Sequence, residues 1–299
     1  LLEDTDDLFF RESRLLHVEL LGWELYFQVD RISEDASDLV MKRCPCCEGA
    51  RHYQLGDGRL KCRACGHRFS WTSVWDSVRL SGPVKHHLLE LFVLGVPSYR
   101  QRFRSQASAS ARERFNRLLR ACCAQVENLR EPFDGALEFD ETTFGGARKG
   151  KRGWGAAGKV IVFGIIKRNG RVKAMPIPAH DRKSIMEKID AHTREGALYY
   201  TDEWQAYATL KLRGEHVMIR KEKGRPVGRG HINGIEGFWS YAKNWLYPYR
   251  GVPRQYFHLY LGEVCYRYNH RDEDLKPLLL RLLRSTTIQQ LKPTLVRKG

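Results

Sequence analysis

The sequence predicts an α/β protein: a mixed sheet with helices on its faces, preceded by a small metal-binding module and a helical region. Three observations predict it. From residue 136 onward, strand and helix patterns alternate as β-β-β-α-β-α-β-α-α, and Asn169-Gly170 joins two of the strands as a hairpin turn. Two C-x2-C pairs, at Cys44/Cys47 and Cys62/Cys65, stand fourteen residues apart. Residues 81–130 place apolar side chains at helical spacing.

The bulk composition narrows the function. The 299 residues are enough for two or three domains. A mean hydropathy of −0.50 fits a soluble chain, and no run of about 18 apolar residues predicts a membrane span. The N-terminus, LLEDTDDLFF, is acidic and is not read as a secretory signal. Net charge is +16, unevenly spread. Residues 1–43 hold 11 acids and 5 bases, so the remainder carries +22. A balance that basic favours a polyanionic partner, nucleic acid first.

Residues 1–43 read as a helical segment with an apolar stretch, LLHVELLGWELYF. Next comes the cysteine module, 44–75. Each C-x2-C can fold into a knuckle that points two thiolates at one ion, and two knuckles make a closed tetrahedral site suited to Zn²⁺. Cys44, Cys47, Cys62 and Cys65 are the expected ligands of a structural zinc, and Cys46 is the spare. A hairpin turning at Gly56-Asp57-Gly58 spans the gap. So small a module has too little core to fold without metal. Cys122, Cys123 and Cys265 lie on predicted helices and read as buried apolar residues. His52 and His67 read as surface residues.

Residues 76–132 read as helical. VKHHLLELFVLGV stops at Gly95 and Pro97, SYRQRFRSQ follows, and SARERFNRLLRACCAQVENLR is a longer amphipathic helix rich in Arg. Helix, short helix, turn and basic helix together resemble a helix-turn-helix DNA-binding region.

The domain from 133 to 290 poses a puzzle in its first strand, LEFDETTF, which sets carboxylates among apolar residues. An unpaired buried carboxylate costs several kcal/mol or neutralises. Alternation puts Glu138, Asp140 and Thr142 on one side, and Leu137, Phe139, Glu141 and Thr143 on the other. Asp202 ends the strand of ALYYTDEWQAY, where the chain is expected to enter a helix that the aspartate could cap. Glu236 lies on the helix HINGIEGFWSYAKNWL. There Asn233, Glu236, Ser240 and Lys243 share one face, and Ile235, Phe238, Trp239 and Ala242 form the apolar side. Glu236 alone could be a solvated helix acid. Together the three carboxylates can hold two Mg²⁺ (or Mn²⁺) ions about 4 Å apart for in-line chemistry at phosphorus.

The succession CPCC…CRACGHRFS, LEFDETTFGG, LYYTDEWQAY, HINGIEGFWSYAKNWL and LYLGEVCYRYNHR resembles the DDE transposases with a ribonuclease-H-like core. More narrowly, it is similar to bacterial insertion-sequence transposases of the ISXO type with an N-terminal zinc ribbon, and to their eukaryotic Merlin relatives. The resemblance implies Asp140, Asp202 and Glu236 as the catalytic acids, with Asn233 or His231 assisting or replacing Glu236. It implies Lys243 as a DNA contact near the scissile phosphate. It also implies a homodimer or higher oligomer acting on transposon-end and target DNA, in the cytoplasm or nucleoid of a prokaryote or the nucleus of a eukaryote.

Two basic loops flank the expected site. One carries Arg148, Lys149, Lys151 and Arg152; the other carries Arg220, Lys221, Lys223, Arg225 and Arg229. They are expected to track phosphates, against the plainer reading of solvated loops. Two other functions stand beside the transposase: a catalytically inactive DNA-binding regulator derived from one, and a ribonuclease-H-like nuclease.

Overall fold

The computed structural model describes residues 43–145, 159–204, 207–219, 231–249 and 251–295. The expected 1–43 helical segment and both basic loops lie outside the described residues, apart from Arg43.

The cysteine module is a three-stranded antiparallel sheet: β1 (His52–Gln54), β2 (Leu60–Cys62) and β3 (Arg68–Phe69). Its hairpin turns at Gly56–Gly58, where Gly58 takes the positive φ of 80° that favours glycine. Phe69 packs against Cys44 and Cys62, and these three residues are the module's only buried apolar cluster among the described residues.

A helical layer follows: α1 (Val74–Ser77), α2 (Gly82–Val93) and α3 (Ala109–Leu129). Ser73 and Ser108 cap α1 and α3 by accepting backbone N–H groups one turn on. Residues 94–108 join α2 to α3 and contain a 3₁₀ turn at Gln101–Phe103. α3 is a core helix, packed by three later helices, and Arg112 and Arg120 are buried in it.

The main sheet contains β4 (Ala136–Phe144), β5 (Val160–Lys167), β6 (Val172–Ile177), β7 (Leu198–Thr201) and β8 (Glu215–Met218). Its order is β6-β5-β4-β7-β8; the first three strands are antiparallel, and β4, β7 and β8 are parallel. That is the arrangement of a ribonuclease-H-like core. The β5–β6 turn has Asn169 at φ 58°, the left-handed conformation that an Asn-Gly hairpin demands.

Both faces are covered, which is why β5 reads as a nearly continuous apolar run. On one side, α4 (Arg182–His192) closes a core of Leu137, Phe139, Phe163, Ile165, Ile185 and Tyr199. On the other, α5 (Asn233–Leu246) and α6 (Phe257–Asn269) bury Ile235, Phe238, Trp239, Leu261 and Val264. Asn269 finishes the β6 edge: its side chain accepts the Val172 N–H at 2.7 Å and donates to the Val172 carbonyl at 2.9 Å.

The last helices, α7 (Leu275–Ser285) and α8 (Ile288–Leu295), return to pack on the first helical layer. A buried ion network locks that layer to α6. Glu263 accepts from Arg120 at 2.7 Å and from Arg267 at 2.9 Å, while Arg267 also donates to the Phe92 and Val93 carbonyls at the end of α2.

One sequence expectation fails. The helix predicted to follow β7 is replaced, among the described residues, by a 3₁₀ turn at Leu210–Leu212. The Asp202 side chain accepts the Trp204 N–H, closing a local turn, and Tyr207 and Leu210 then plunge into the core. Little chain is left before β8 begins at residue 215.

Candidate active site and metal centre

Asp140 sits in the middle of β4, on the side that faces α5. The parallel register pairs Glu138 with Tyr200, so two residues further along Asp202 leaves β7 level with Asp140. The two aspartates thus come from adjacent strands. Asp140 Oδ2 accepts the Trp239 indole N–H at 3.0 Å, and Asp202 Oδ1 accepts the Trp204 amide at 3.0 Å. Burial, then the charge of Glu141, push the Asp140 carboxyl up to about 7; Asp202 adds to the rise. Such a cluster of acids suits a divalent cation, which would relieve both the burial and the repulsion.

Helix α5 brings the remaining candidates. Its inner face is the expected one: Ile235, Phe238, Trp239 and Ala242 are buried. Asn233 begins the helix, Glu236 lies in its first turn and Lys243 in its last; all three are exposed. Glu236 stands one turn before Trp239, the residue that joins α5 to Asp140. The structure thus brings Asp140 and Asp202 together and sets Asn233, Glu236 and Lys243 along one helix crossing them. Arg148, Lys149, Lys151, Arg152, Arg220, Lys221, Lys223, Arg225 and Arg229 lie outside the described residues.

The other two acids of LEFDETTF hold the frame, roles that strand alternation alone did not reveal. Glu138 is buried; it accepts the Ile235 N–H at 3.1 Å and Arg168 Nε at 2.9 Å. It therefore anchors the positive end of α5, where a carboxylate is most stabilising. Arg168 also donates to the His231 carbonyl and lies 3.5 Å over the Tyr200 ring. Gly234 permits the approach, since a Cβ there would come within 2.8 Å of Glu138 Oε2.

Glu141 points to the opposite face. It accepts the Tyr207 hydroxyl, and His180 Nε2 lies 3.6 Å from its other oxygen. His180 stacks on Trp204 at 3.9 Å between ring centres. The carboxylate beside Asp140 thus ties down the loop that carries Asp202.

The four expected zinc ligands converge. Cys44 and Cys65 sulfurs are 3.6 Å apart, Cys47 and Cys62 sulfurs are 3.5 Å apart, and all four lie within 4.8 Å of one another. Zn–S bonds of about 2.3 Å in a tetrahedron put sulfurs roughly 3.8 Å apart, so the cluster fits zinc. Cys46 is exposed and outside the cluster. Gly66 takes a φ of 73° as the second knuckle turns. Cys122, Cys123 and Cys265 are buried in helices as expected, and burial pushes their thiols up.

Residues 132–269 match the ISXO2-like transposase domain. Over 103 residues the chain is 27% identical to an "uncharacterized transposase-like protein" of Haemophilus influenzae, a stretch covering 34% of this chain and 84% of that protein. The matched domain opens just before β4 and closes at the end of α6, so it contains both aspartates and the whole of α5 and leaves out the cysteine cluster. Residues 132–269 are thus similar to an ISXO2-like DDE transposase domain, and the sheet they contain has the strand order of a ribonuclease-H-like core.

Proposed function

We propose that the protein is a DNA transposase that cuts phosphodiester bonds at the ends of its element and joins those ends to target DNA. The observation that carries this reading is the position of Asp140 on β4 beneath α5, with Asp202 just past the end of the adjacent parallel strand β7. Asp140, Asp202 and Glu236 are the proposed holders of two Mg²⁺ or Mn²⁺ ions. Such ions, when bound, activate the attacking water or 3′-hydroxyl and stabilise the leaving oxygen. Trp239 fixes the orientation of one aspartate, and the Trp204 amide fixes the other, so the donors need little reordering. Asn233, one turn before Glu236, supports it in this reading. Lys243, exposed beyond Trp239, contacts DNA phosphate. The two basic loops extend the phosphate track, the zinc ribbon and helical layer contribute end recognition, and a dimer brings two ends together.

The test uses DNA carrying both ends of the element that flanks this gene. Nicks at the element boundary should require Mg²⁺, vanish in EDTA, and fall at least about a hundredfold in Asp202→Asn. Joined products with target DNA separate a transposase from a simple nuclease. Tight end binding with no cleavage under any divalent ion would overturn the proposal in favour of a regulator.

A further inference from the structure

Between Glu90 and Glu113 the chain holds four arginines and no acid. The structure divides these arginines into two kinds. Arg112 is buried: its guanidinium donates to the Ser98 carbonyl at 3.3 Å and to the Ala107 carbonyl. It braces the connection between α2 and α3 from within. Gln101, fully buried, does the same from the centre of the 3₁₀ turn, donating to the Val96 carbonyl at 2.9 Å. Arg100, Arg102 and Arg104 point outward, and among the described residues none of them has an ion pair with an acid.

The turn also displays aromatic surface. Phe103 is 72% exposed and Tyr99 42% exposed. Arg102 lies 4.7 Å over the Phe103 ring and Arg100 5.6 Å over the Tyr99 ring. Long arginine side chains are thereby held fanned out on a short, well-anchored loop. Basic side chains interleaved with exposed rings suit a nucleic-acid backbone, since guanidinium forks match phosphate oxygens and the rings cover sugar faces.

The position of the turn selects the occupant. Gly95 lies flush against Trp245 of α5, so close that a Cβ there would stand 2.6 Å from the indole. The Tyr99 hydroxyl donates to the Pro248 carbonyl at 3.1 Å, just past the end of α5. The same helix carries Glu236 and Lys243. Ten residues separate Glu236 from Leu246, about 15 Å, which equals four to five base pairs of duplex rise.

We infer that Tyr99–Arg104 is a DNA-docking turn. It holds the phosphate backbone of the same duplex that enters the Asp140–Asp202 site, several base pairs from the cut. The inference rests on the transposase reading for the identity of the duplex, although the contact itself does not depend on base sequence. It also moves the DNA contact of the helical layer away from the arginine-rich helix α3, whose Arg112 and Arg120 face inward, onto the turn that precedes it.

The test measures binding of the full chain to a short labelled duplex of arbitrary sequence across a salt series. The probe is compared among wild type, the triple variant Arg100→Gln/Arg102→Gln/Arg104→Gln, and a charge-matched triple variant on other exposed bases, Arg182→Gln/Lys183→Gln/Lys211→Gln. Loss of three phosphate contacts should reduce the slope of log K against log salt by about 2 to 3, and the charge-matched control should retain the wild-type slope. Phe103→Ala removes no charge and should leave the slope unchanged. Thermal unfolding checks that all variants fold. An unchanged slope in the first triple variant overturns the inference, as does an equal loss in the control. Failure of DNA cleavage alongside turn-dependent binding would count against the transposase reading while leaving the docking turn standing.

Discussion

The indole of Trp239 occupies the space that the missing side chain of Gly164 leaves open, and from there its N–H reaches Asp140. Gly164 is the register partner of Asp140 on β5. A Cβ at Gly164 would stand 2.5 Å from Trp239 Cζ2 and 2.9 Å from Ile235 Cδ1. Both contacts are to ring or chain atoms locked in the core, so they cannot yield without moving α5. Gly164→Ala should cost about 1–3 kcal/mol of stability, typical of overpacking. On the proposed function it should also reduce cleavage more than the unfolded fraction explains, because α5 carries Glu236, a proposed metal holder. Urea unfolding together with cleavage well below the melting temperature measures both effects. Normal cleavage in a folded Gly164→Ala protein would disprove the coupling.

Glu138 and Arg168 form the second restraint on that helix. Removing the carboxylate leaves a largely buried guanidinium without its partner and the start of α5 without its anion. Glu138→Ala should cost about 3–5 kcal/mol, the usual penalty for breaking a buried pair. The double variant Glu138→Leu/Arg168→Met should lose less than the sum of its parts. A double-mutant cycle on unfolding free energy measures the coupling, and simple additivity would refute the restraint.

These two restraints mark the limit of what could be read in the sequence. The cysteine spacing, the Asn169-Gly170 turn and the strand and helix periods are local signals, and the structure carries them. The apolar side of α5 was likewise visible in the spacing of Ile235, Phe238, Trp239 and Ala242. Alternation put Glu138 and Asp140 on one side of β4, yet gave no means of telling a proposed metal ligand from a helix anchor. That distinction depends on Arg168 and Ile235, 30 and 97 residues away. Glu141 needed Tyr207, 66 residues distant. Among the described residues the helix expected after β7 is not seen, for a similar reason: Trp204 and Tyr207 look helical by local pattern, but each is held by tertiary contacts, Trp204 by His180 and Tyr207 by Glu141. The inward turn of Arg112 and Arg120 was equally hidden, because arginine on an amphipathic helix ordinarily faces water.

The cysteine cluster predicts a one-to-one zinc stoichiometry. Metal released from the purified chain by a thiol-modifying reagent should amount to one zinc per protein. Cys62→Ser removes a buried candidate ligand that also packs on Phe69, so it should lose the metal and unfold the module. Cys46→Ser should keep both metal and fold. Zinc loss in the Cys46 variant would show that the ligand set is wrong.

A pH dependence should arise far from the metal-binding candidates. Burial chiefly, and then Lys173, Lys188 and Arg171, hold the His192 imidazole down to about 4. The unfolded chain protonates this residue near its ordinary value of about 6.5. Below that pH the unfolded state takes up a proton that the native state refuses, so stability falls as pH drops from about 6.5 to about 4. The contribution is fully present above the upper limit. His192→Gln should flatten the stability profile within this window and leave it unchanged at pH 8. A variant whose profile matches wild type throughout would exclude His192 as the source.

The Glu263 network makes the strongest stability prediction, because it joins the helical layer to α6, which packs on the main sheet. Its carboxylate is shared by Arg120 and Arg267, all three groups are buried, and Arg267 also holds the last carbonyls of α2. Arg120 further lies 3.8 Å over the Tyr260 ring. Glu263→Gln preserves volume but leaves two buried guanidinium groups without a counter-charge, and about 3–5 kcal/mol should be lost. Since α2 and α3 are the elements released, the loss should appear as earlier exchange of amide hydrogens in residues 82–129, while β4 and β5 retain their protection. Uniform loss of protection across the sheet and the helical layer would show instead that the two form one cooperative unit, with the network as part of a single core.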